Sequence, residues 1–119
     1  MTQNAKKAPV MRGVLYEIQT DGKRRPLKLK REATIIGREK GDLIIEDTEI
    51  SASHCQIQIV GSAYHIFDMN STNGTFVNSE RIIKAKIATG DMITIGSKTY
   101  EFAVEEEKKI QHIETIYKS

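Results

Sequence analysis

The sequence predicts an all-β fold, either an antiparallel sandwich or a barrel. Two observations lead to this class: apolar and polar residues alternate in short runs, and turn-forming pairs separate the runs. A third is that no stretch before residue 105 has the apolar spacing of a helix. With 119 residues, 39% of them hydrophobic, the chain fits one domain with one modest core.

The strands can be placed in order from the alternation and the turns. Val14, Tyr16 and Ile18 alternate in the first run, and the runs at 56–59 and 99–104 alternate most clearly. Strands are predicted near residues 13–19, 26–31, 33–37, 43–45, 55–60, 63–69, 75–78, 81–84, 92–95 and 98–105. The turn signals are Asp21-Gly22, Gly41-Asp42, Gly61-Ser62, Asn73-Gly74, Gly90-Asp91 and Gly96-Ser97.

The two ends of the chain differ from this pattern. Residues 1–12 are predicted to form a flexible arm, 13–105 the folded domain, and 106–119 a tail or linker stub. The tail begins with acidic residues from Glu105, which suit a helix N-terminus, and Ile110, Ile113 and Tyr117 follow at helical spacing. Because a short isolated helix is marginal in water, the tail is expected to dock on the domain, to lead into another segment or to fray.

Composition argues against several protein classes. No apolar run approaches the roughly 20 residues of a membrane span, and the polar N-terminus does not resemble a secretory signal. Cys55 is the one cysteine, so no intrachain disulfide can form, and its place in an alternating run predicts core packing. A cytoplasmic protein without a membrane segment is therefore expected.

Charge is unevenly distributed along the chain. The net charge is +2, but residues 1–40 carry +7 and residues 41–119 carry −5. The basic run at 23–31 could serve an anionic ligand or nucleic acid, or could be a solvated hairpin that protects a sheet edge. Nucleic-acid binding is the weaker alternative, because the net charge is small and aromatic residues make up 6% of the chain, without tryptophan.

Three loop segments combine residues that make poor strands and good anion sites. Ile36-Gly37-Arg38 ends a strand, and arginine offers a planar fork to a phosphate. Ser51-Ala52-Ser53-His54 precedes a strand and supplies hydroxyl donors. Ser71-Thr72-Asn73-Gly74-Thr75 lies between two strands, where Asn-Gly favours a tight hairpin turn.

The same residues do not predict catalysis or metal binding. Ser53 and His54 are adjacent, so in an extended chain their side chains point to opposite faces. The sequence lacks the Gly-x-Ser-x-Gly elbow and the phosphate-cradling loop of nucleotide-binding proteins. His54, Cys55, His65 and His112 do not have the spacing of a zinc site. We expect a non-enzymatic module with no catalytic residues, no metal and no cofactor.

The order of the motifs resembles the forkhead-associated (FHA) family. Gly-Arg, Ser-x-x-His and Ser-Thr-Asn-Gly-Thr occur in that family's order, the stretch 68–78 resembles its central signature, and 90–96 resembles its last hairpin. The resemblance covers about residues 13–105. It implies a two-sheet antiparallel β-sandwich whose loops at one end bind phosphothreonine peptides, in preference to phosphoserine peptides.

The resemblance also implies roles for individual residues. The phosphate-binding residues would be Arg38, Ser51 and Thr72. Asn73 would hold the peptide main chain, and Gly37, His54 and Gly74 would support the site structurally. The implied partner is a protein phosphorylated on threonine by an upstream Ser/Thr kinase, for which the module acts as an adaptor in signalling or regulated assembly.

Two departures from the family pattern keep an alternative open. Ala52 stands where the family often has a basic or amide side chain, and Ser79 follows Asn78 where it often has glycine. The first departure allows a phospho-independent interaction scaffold on the same fold. A further hypothesis is that phosphorylation of Thr115 or Thr2 lets the module bind its own tail or that of a neighbour. The oligomeric state is left open.

Overall fold

The computed structural model describes residues 8–110 as two β-sheets that face each other. The strands are β1 (Met11–Ile18), β2 (Arg24–Lys28), β3 (Ala33–Gly37), β4 (Leu43–Ile44), β5 (Cys55–Val60), β6 (Ala63–Asp68), β7 (Thr75–Val77), β8 (Glu80–Ile82), β9 (Lys84–Ile87), β10 (Met92–Ile95) and β11 (Lys98–Glu106). The six-stranded sheet has the order β2-β1-β11-β10-β7-β8, and the five-stranded sheet has the order β4-β3-β5-β6-β9. The predicted two-sheet sandwich is confirmed, with one parallel pairing between β3 and β4.

The core lies between the two sheets and consists of apolar side chains from both. Leu15 on β1 is opposite Phe102 on β11, and both are fully buried. In β1 the neighbouring residues Val14 and Leu15 are both fully buried, whereas Ile18 is 48% exposed, so burial does not follow a simple alternation along this strand. Cys55 is buried in the core as predicted.

One predicted strand proved to be two. The run near 81–84 was predicted as a single strand, but β8 belongs to the six-stranded sheet and β9 to the five-stranded sheet. The chain changes sheet at Ile83, which is 85% exposed. The residues next to Ile83 include no glycine, proline or asparagine, so the local sequence does not predict a break between two strands here.

The first strand begins, and the last strand ends, slightly beyond the predicted strand limits. β1 begins at Met11, and β11 continues to Glu106 before a 3₁₀ turn over Glu107–Lys109. The backbone N–H of Glu107 donates to the carbonyl oxygen of Val10, and Ile110 is buried. Ile113, Thr115, Tyr117 and Thr2, on which the tail hypotheses rest, lie outside the described residues.

The basic run near the start of the chain is largely neutralised by carboxylates. Arg24 pairs with Glu101 at 2.8 Å, and Arg25 pairs with Glu17 at 2.5 Å. The strand β2 that carries these arginines is the edge of the six-stranded sheet, and it contains Pro26, which a central strand would exclude. These ion pairs favour the interpretation of residues 23–31 as a solvated hairpin that protects a sheet edge.

Candidate functional site

Antiparallel pairing brings the three motif segments to one end of the sandwich. Ile36 near the end of β3 is opposite Cys55 at the start of β5, and Cys55 is opposite Asp68 at the end of β6. The segment after β3, the segment before β5 and the segment after β6 therefore leave the five-stranded sheet at the same end. This register, rather than any sequence proximity, assembles the candidate site.

Gly37 lies where two backbone segments pass too closely for a side chain. A Cβ atom at this position would lie 2.1 Å from the carbonyl oxygen of Ala52 and 2.4 Å from that of Lys40. The next residue, Arg38, donates its backbone N–H to the carbonyl oxygen of Ser51 at 2.9 Å. The main chain of Arg38 is thus fixed against the Ser51 segment.

The Arg38 guanidinium is only lightly engaged within the protein. It is 40% exposed, and its Nη2 atom lies 3.5 Å from a carboxylate oxygen of Glu39. Its Nε atom is buried and has no hydrogen-bond partner. The carboxylate of Asp42, four residues further along the chain, accepts from Lys30 and from the backbone N–H of Ile35 instead of pairing with Arg38. An exposed ion pair of this kind contributes little, so the Arg38 donors remain available to an anion.

Ser51 and Thr72 join two of the motif segments. The backbone N–H of Thr72 donates to the Oγ atom of Ser51 at 3.0 Å. Because this bond uses Ser51 Oγ as an acceptor, its hydroxyl hydrogen is still free to donate. Thr72 has no backbone donor left, but its side chain is exposed and contributes a hydroxyl. Both residues therefore present an O–H group near Arg38.

His54 is fully buried beneath these segments and hydrogen-bonds to two of them. The backbone N–H of Ser51 donates to Nδ1 at 3.1 Å, and Nε2 lies 2.8 Å from the carbonyl oxygen of Gly74. Since Nδ1 accepts, Nε2 carries the hydrogen and donates to Gly74. One imidazole thereby sets the separation of the second and third motif segments.

Asp68 organises the third segment, a role that sequence reasoning did not assign. Its carboxylate accepts from the backbone N–H and the hydroxyl of Ser71, at 3.0 and 2.5 Å, and from the hydroxyl of Thr75 at 2.7 Å. Ser71 Oγ in turn accepts from the backbone N–H of Gly74. Burial raises the pKa of Asp68, but the hydrogen bonds from Ser71 and Thr75 outweigh it and hold this pKa below its usual range. The spacing Asp-x-x-Ser was the available signal.

Asn73-Gly74 does not form the tight hairpin turn that the dipeptide predicted. The strands it separates, β6 and β7, belong to different sheets, so this segment is a crossover. Gly74 has a φ of +94°, which favours glycine, and the Asn73 side-chain amide donates to the carbonyl oxygen of Glu49 at 2.9 Å. Asn73 is exposed, and this hydrogen bond uses its amide nitrogen rather than its amide oxygen.

The tight hairpin turn occurs a few residues later, at Asn78-Ser79 between β7 and β8. Both residues have positive φ, 50° for Asn78 and 73° for Ser79, as a two-residue type I′ turn requires. Ser79, which stands where the family often has glycine, therefore keeps the left-handed backbone conformation that glycine favours. This turn lies beyond the three motif segments.

Carboxylates lie beside the Arg38 end of the site. A shallow depression next to Arg38 is lined by Glu39, Glu46 and Asp47. Asp47 accepts from the Ser97 hydroxyl, and this hydrogen bond is the main cause that lowers the Asp47 pKa. The depression therefore combines one cationic side chain with several anionic ones.

Within 8–110 no group of three or more His, Cys, Asp or Glu side chains is arranged to hold a metal ion. No helix in this part of the chain has the length and hydropathy of a membrane span.

A family model for the FHA domain matches residues 34–96, slightly more than half of the chain. The FHA domain-containing protein FhaA of Mycobacterium tuberculosis is 36% identical over 77 residues, which are 64% of this chain and 15% of FhaA. The glycogen accumulation regulator GarA of Mycolicibacterium smegmatis is 33% identical over 69 residues, which are 57% of this chain and 44% of GarA. This chain thus matches less than half the length of either relative.

Solved structures show the same fold. The structure of Mycobacterium tuberculosis EmbR in complex with a low affinity phosphopeptide superimposes with a TM-score of 0.67 and 32% identity. The match covers 77% of this chain and 24% of EmbR.

Proposed function

Because this chain belongs to the FHA domain family, whose members bind phosphothreonine peptides, we propose that its three motif segments form a phosphothreonine-peptide site. The observation that carries the proposal is the hydrogen bond from Thr72 N–H to Ser51 Oγ, because Ser51 also accepts from the backbone N–H of Arg38, whose guanidinium makes only an exposed ion pair. A third residue type, the Asn73 amide, lies next in the chain. The solved phosphopeptide complex of EmbR, a protein of the same fold, supports the assignment.

Phosphate recognition rests on three donors. A phosphothreonine carries about −1.5 to −2 charges at pH 7 and three acceptor oxygens. Arg38 supplies the charge and a planar pair of N–H groups, while Ser51 and Thr72 supply hydroxyl donors. Since one cation acts with neutral donors, affinity is moderate and falls as salt is added.

The remaining residues of the site hold the peptide or the loops. Asn73 uses its amide oxygen to accept from the peptide main chain, while its amide nitrogen is anchored on Glu49. Gly37 gives the room in which the first two segments approach, and His54 connects Ser51 to Gly74. These residues make the site rigid before the ligand arrives, which reduces the entropy cost of binding.

In the cell, the module acts as a non-catalytic adaptor for a threonine-phosphorylated partner. An upstream Ser/Thr kinase creates the ligand, so binding follows kinase activity. Relatives that share this domain include proteins named as regulators and inhibitors, which supports a regulatory rather than an enzymatic role. A cytoplasmic location belongs to the same proposal.

The test compares three versions of one peptide library, with phosphothreonine, phosphoserine and unmodified threonine. Capture of phosphothreonine peptides by the wild type and its loss in Arg38→Ala would support the proposal. Arg31→Ala is the matched control. Arg31 precedes β3 and Arg38 follows it, so the two arginines lie at opposite ends of this strand, and the Arg31→Ala variant should bind normally. Equal binding of phosphorylated and unmodified peptides would contradict the proposal and favour the phospho-independent scaffold, as would unchanged binding by Arg38→Ala.

A further inference from the structure

Arg81 lies against the third motif segment, although nothing in the sequence linked it to the site. It is on β8, opposite Phe76 on β7. Thr75 and Val77 point into the core, so Phe76 and Arg81 share the outer face of the sheet. A Cβ atom on Gly74 would lie 2.6 Å from Arg81 Nε and 3.0 Å from Cζ. The guanidinium group therefore lies directly against Gly74, the residue that follows Asn73.

The Arg81 charge has no partner within the described part of the protein. Its side chain is exposed, and none of the hydrogen bonds or ion pairs in residues 8–110 involves its guanidinium. Every other arginine in this range has a carboxylate within ion-pair distance: Arg12, Arg24, Arg25, Arg31 and Arg38. The guanidinium occupies the space that a side chain at position 74 would fill, and this space is available because residue 74 is glycine.

A continuous series of contacts connects Arg38 to Arg81. Arg38 N–H donates to Ser51 O, Ser51 Oγ accepts from Thr72, and Asn73 and Gly74 follow Thr72 directly. Arg81 covers Gly74 at the end of this series. If Arg38 holds the phosphate and Asn73 the peptide main chain, as proposed above, a peptide that continues along the third motif segment runs past Gly74 and Arg81.

The charges at the two ends of this series are opposite in character. Beside Arg38 the neighbouring carboxylates are those of Glu39, Glu46 and Asp47. Beside Gly74 the guanidinium of Arg81 is exposed and unpaired, whereas the nearby Asp68 carboxylate is engaged by hydrogen bonds from Ser71 and Thr75. An additional anionic group on the peptide is repelled at the first end and attracted at the second.

We propose that Arg81 is a specificity-determining residue that selects phosphothreonine peptides with a second anionic group on the side of the phosphothreonine that passes Gly74. That group is a carboxylate or a second phosphate, both of which a guanidinium binds in the same way. The proposal rests on the proposed function, because it assigns the partner chemistry of the same site.

The experiment measures the dissociation constants of fluorescent phosphothreonine peptides by anisotropy at low salt, with the full chain. Starting from one neutral peptide, a single Glu is moved through the four positions on each side of the phosphothreonine. Gln at the same position is the uncharged control, and phosphothreonine at the preferred position separates phosphate from carboxylate. We expect Glu to tighten binding roughly two- to fivefold at one or two positions on one side, the factor of an exposed ion pair, and phosphate to tighten it further.

The variants assign the preference to its residue. Arg81→Gln should lose the preference for Glu over Gln while its binding of the neutral peptide remains measurable and dependent on Arg38. Lys86→Gln removes the same charge from an exposed position on β9 and should keep the preference. The proposal is overturned if Glu improves binding at no position, if the preference survives in Arg81→Gln, or if Lys86→Gln loses it equally. In each of these cases, Arg38-dependent binding of the neutral peptide leaves the proposed function intact, whereas failure of every phosphothreonine peptide to bind overturns both.

Discussion

The imidazole of His54 and the carbonyl group of Gly74 are joined by a 2.8 Å hydrogen bond, although 20 positions separate them in the chain. With the bond from Ser51 N–H to Nδ1, this contact fixes the second and third motif segments relative to each other. A buried polar group therefore contributes to the positioning of the site, in addition to the contacts between its exposed residues.

Replacement of His54 by alanine should destabilise the fold and not merely the loops. The substitution leaves a cavity and two backbone groups, on Ser51 and Gly74, without a partner. We expect the free energy of unfolding to fall by about 2–4 kcal/mol in urea denaturation. His65→Ala is the control, because His65 is only half-buried, and it should cost less than about 1 kcal/mol. If His54→Ala lowered the free energy of unfolding as little as His65→Ala, the hydrogen bonds from His54 to Ser51 and Gly74 would not be important for stability.

Asp68 should make the stability of the domain depend on pH. Its pKa is lowered in the folded protein, because the hydrogen bonds from Ser71 and Thr75 outweigh the effect of burial. Such a carboxylate stabilises the fold above its unfolded pKa of about 3.9, and this contribution is lost as the pH falls toward the folded pKa. Asp68→Asn should therefore reduce stability at pH 7 by about 1–2 kcal/mol, a value limited by partial exposure to solvent.

The measurement is urea denaturation of wild type and Asp68→Asn from pH 7 to below pH 4. The difference between them should shrink as the pH falls, whereas Asp21→Asn, in the exposed turn between β1 and β2, should differ little from wild type. A difference of constant size at every pH would contradict the role of the Asp68 charge.

Ser79→Gly should stabilise the domain. Ser79 has a φ of 73°, a left-handed conformation that costs a residue with a side chain about 1 kcal/mol or more and costs glycine almost nothing. Because glycine also makes the unfolded chain more flexible, we expect a net gain of about 0.5–1 kcal/mol in thermal or urea unfolding. Ser62→Gly is the matched control in the β5–β6 hairpin, where the serine φ is not positive, and no gain is expected there. Equal effects of the two changes would refute the explanation.

Cys55 should be protected from thiol reagents in the folded protein. The side chain is fully buried, and burial raises the pKa of the Cys55 thiol to about 12. Because the thiolate is the reactive form, a chromogenic disulfide reagent should label the native protein very slowly at pH 8 and the urea-unfolded protein at once. Rapid labelling under native conditions would mean that the core around Cys55 opens readily.

The sequence predicted much of the fold and named most of the candidate site. Alternation located most strands to within two residues, because the side-chain period of a strand is a local property. It could not predict the change of sheet at Ile83 or the crossover at Asn73-Gly74, because sheet membership depends on which distant strand each segment pairs with. The same dipeptide that favours a hairpin in isolation is held in another conformation here by hydrogen bonds to His54 and Ser71.

The sequence alone therefore determined three properties of the protein. The chain is all-β, Cys55 is buried, and three polar segments follow one another, with Arg38 in the first. The tertiary structure decided their mutual positions: Thr72 N–H on Ser51 Oγ, His54 beneath both segments, and Arg81 over Gly74. The reason is physical, because a residue's donors and charge are intrinsic to it. Which acceptors and charges lie next to it is decided only when distant strands pair.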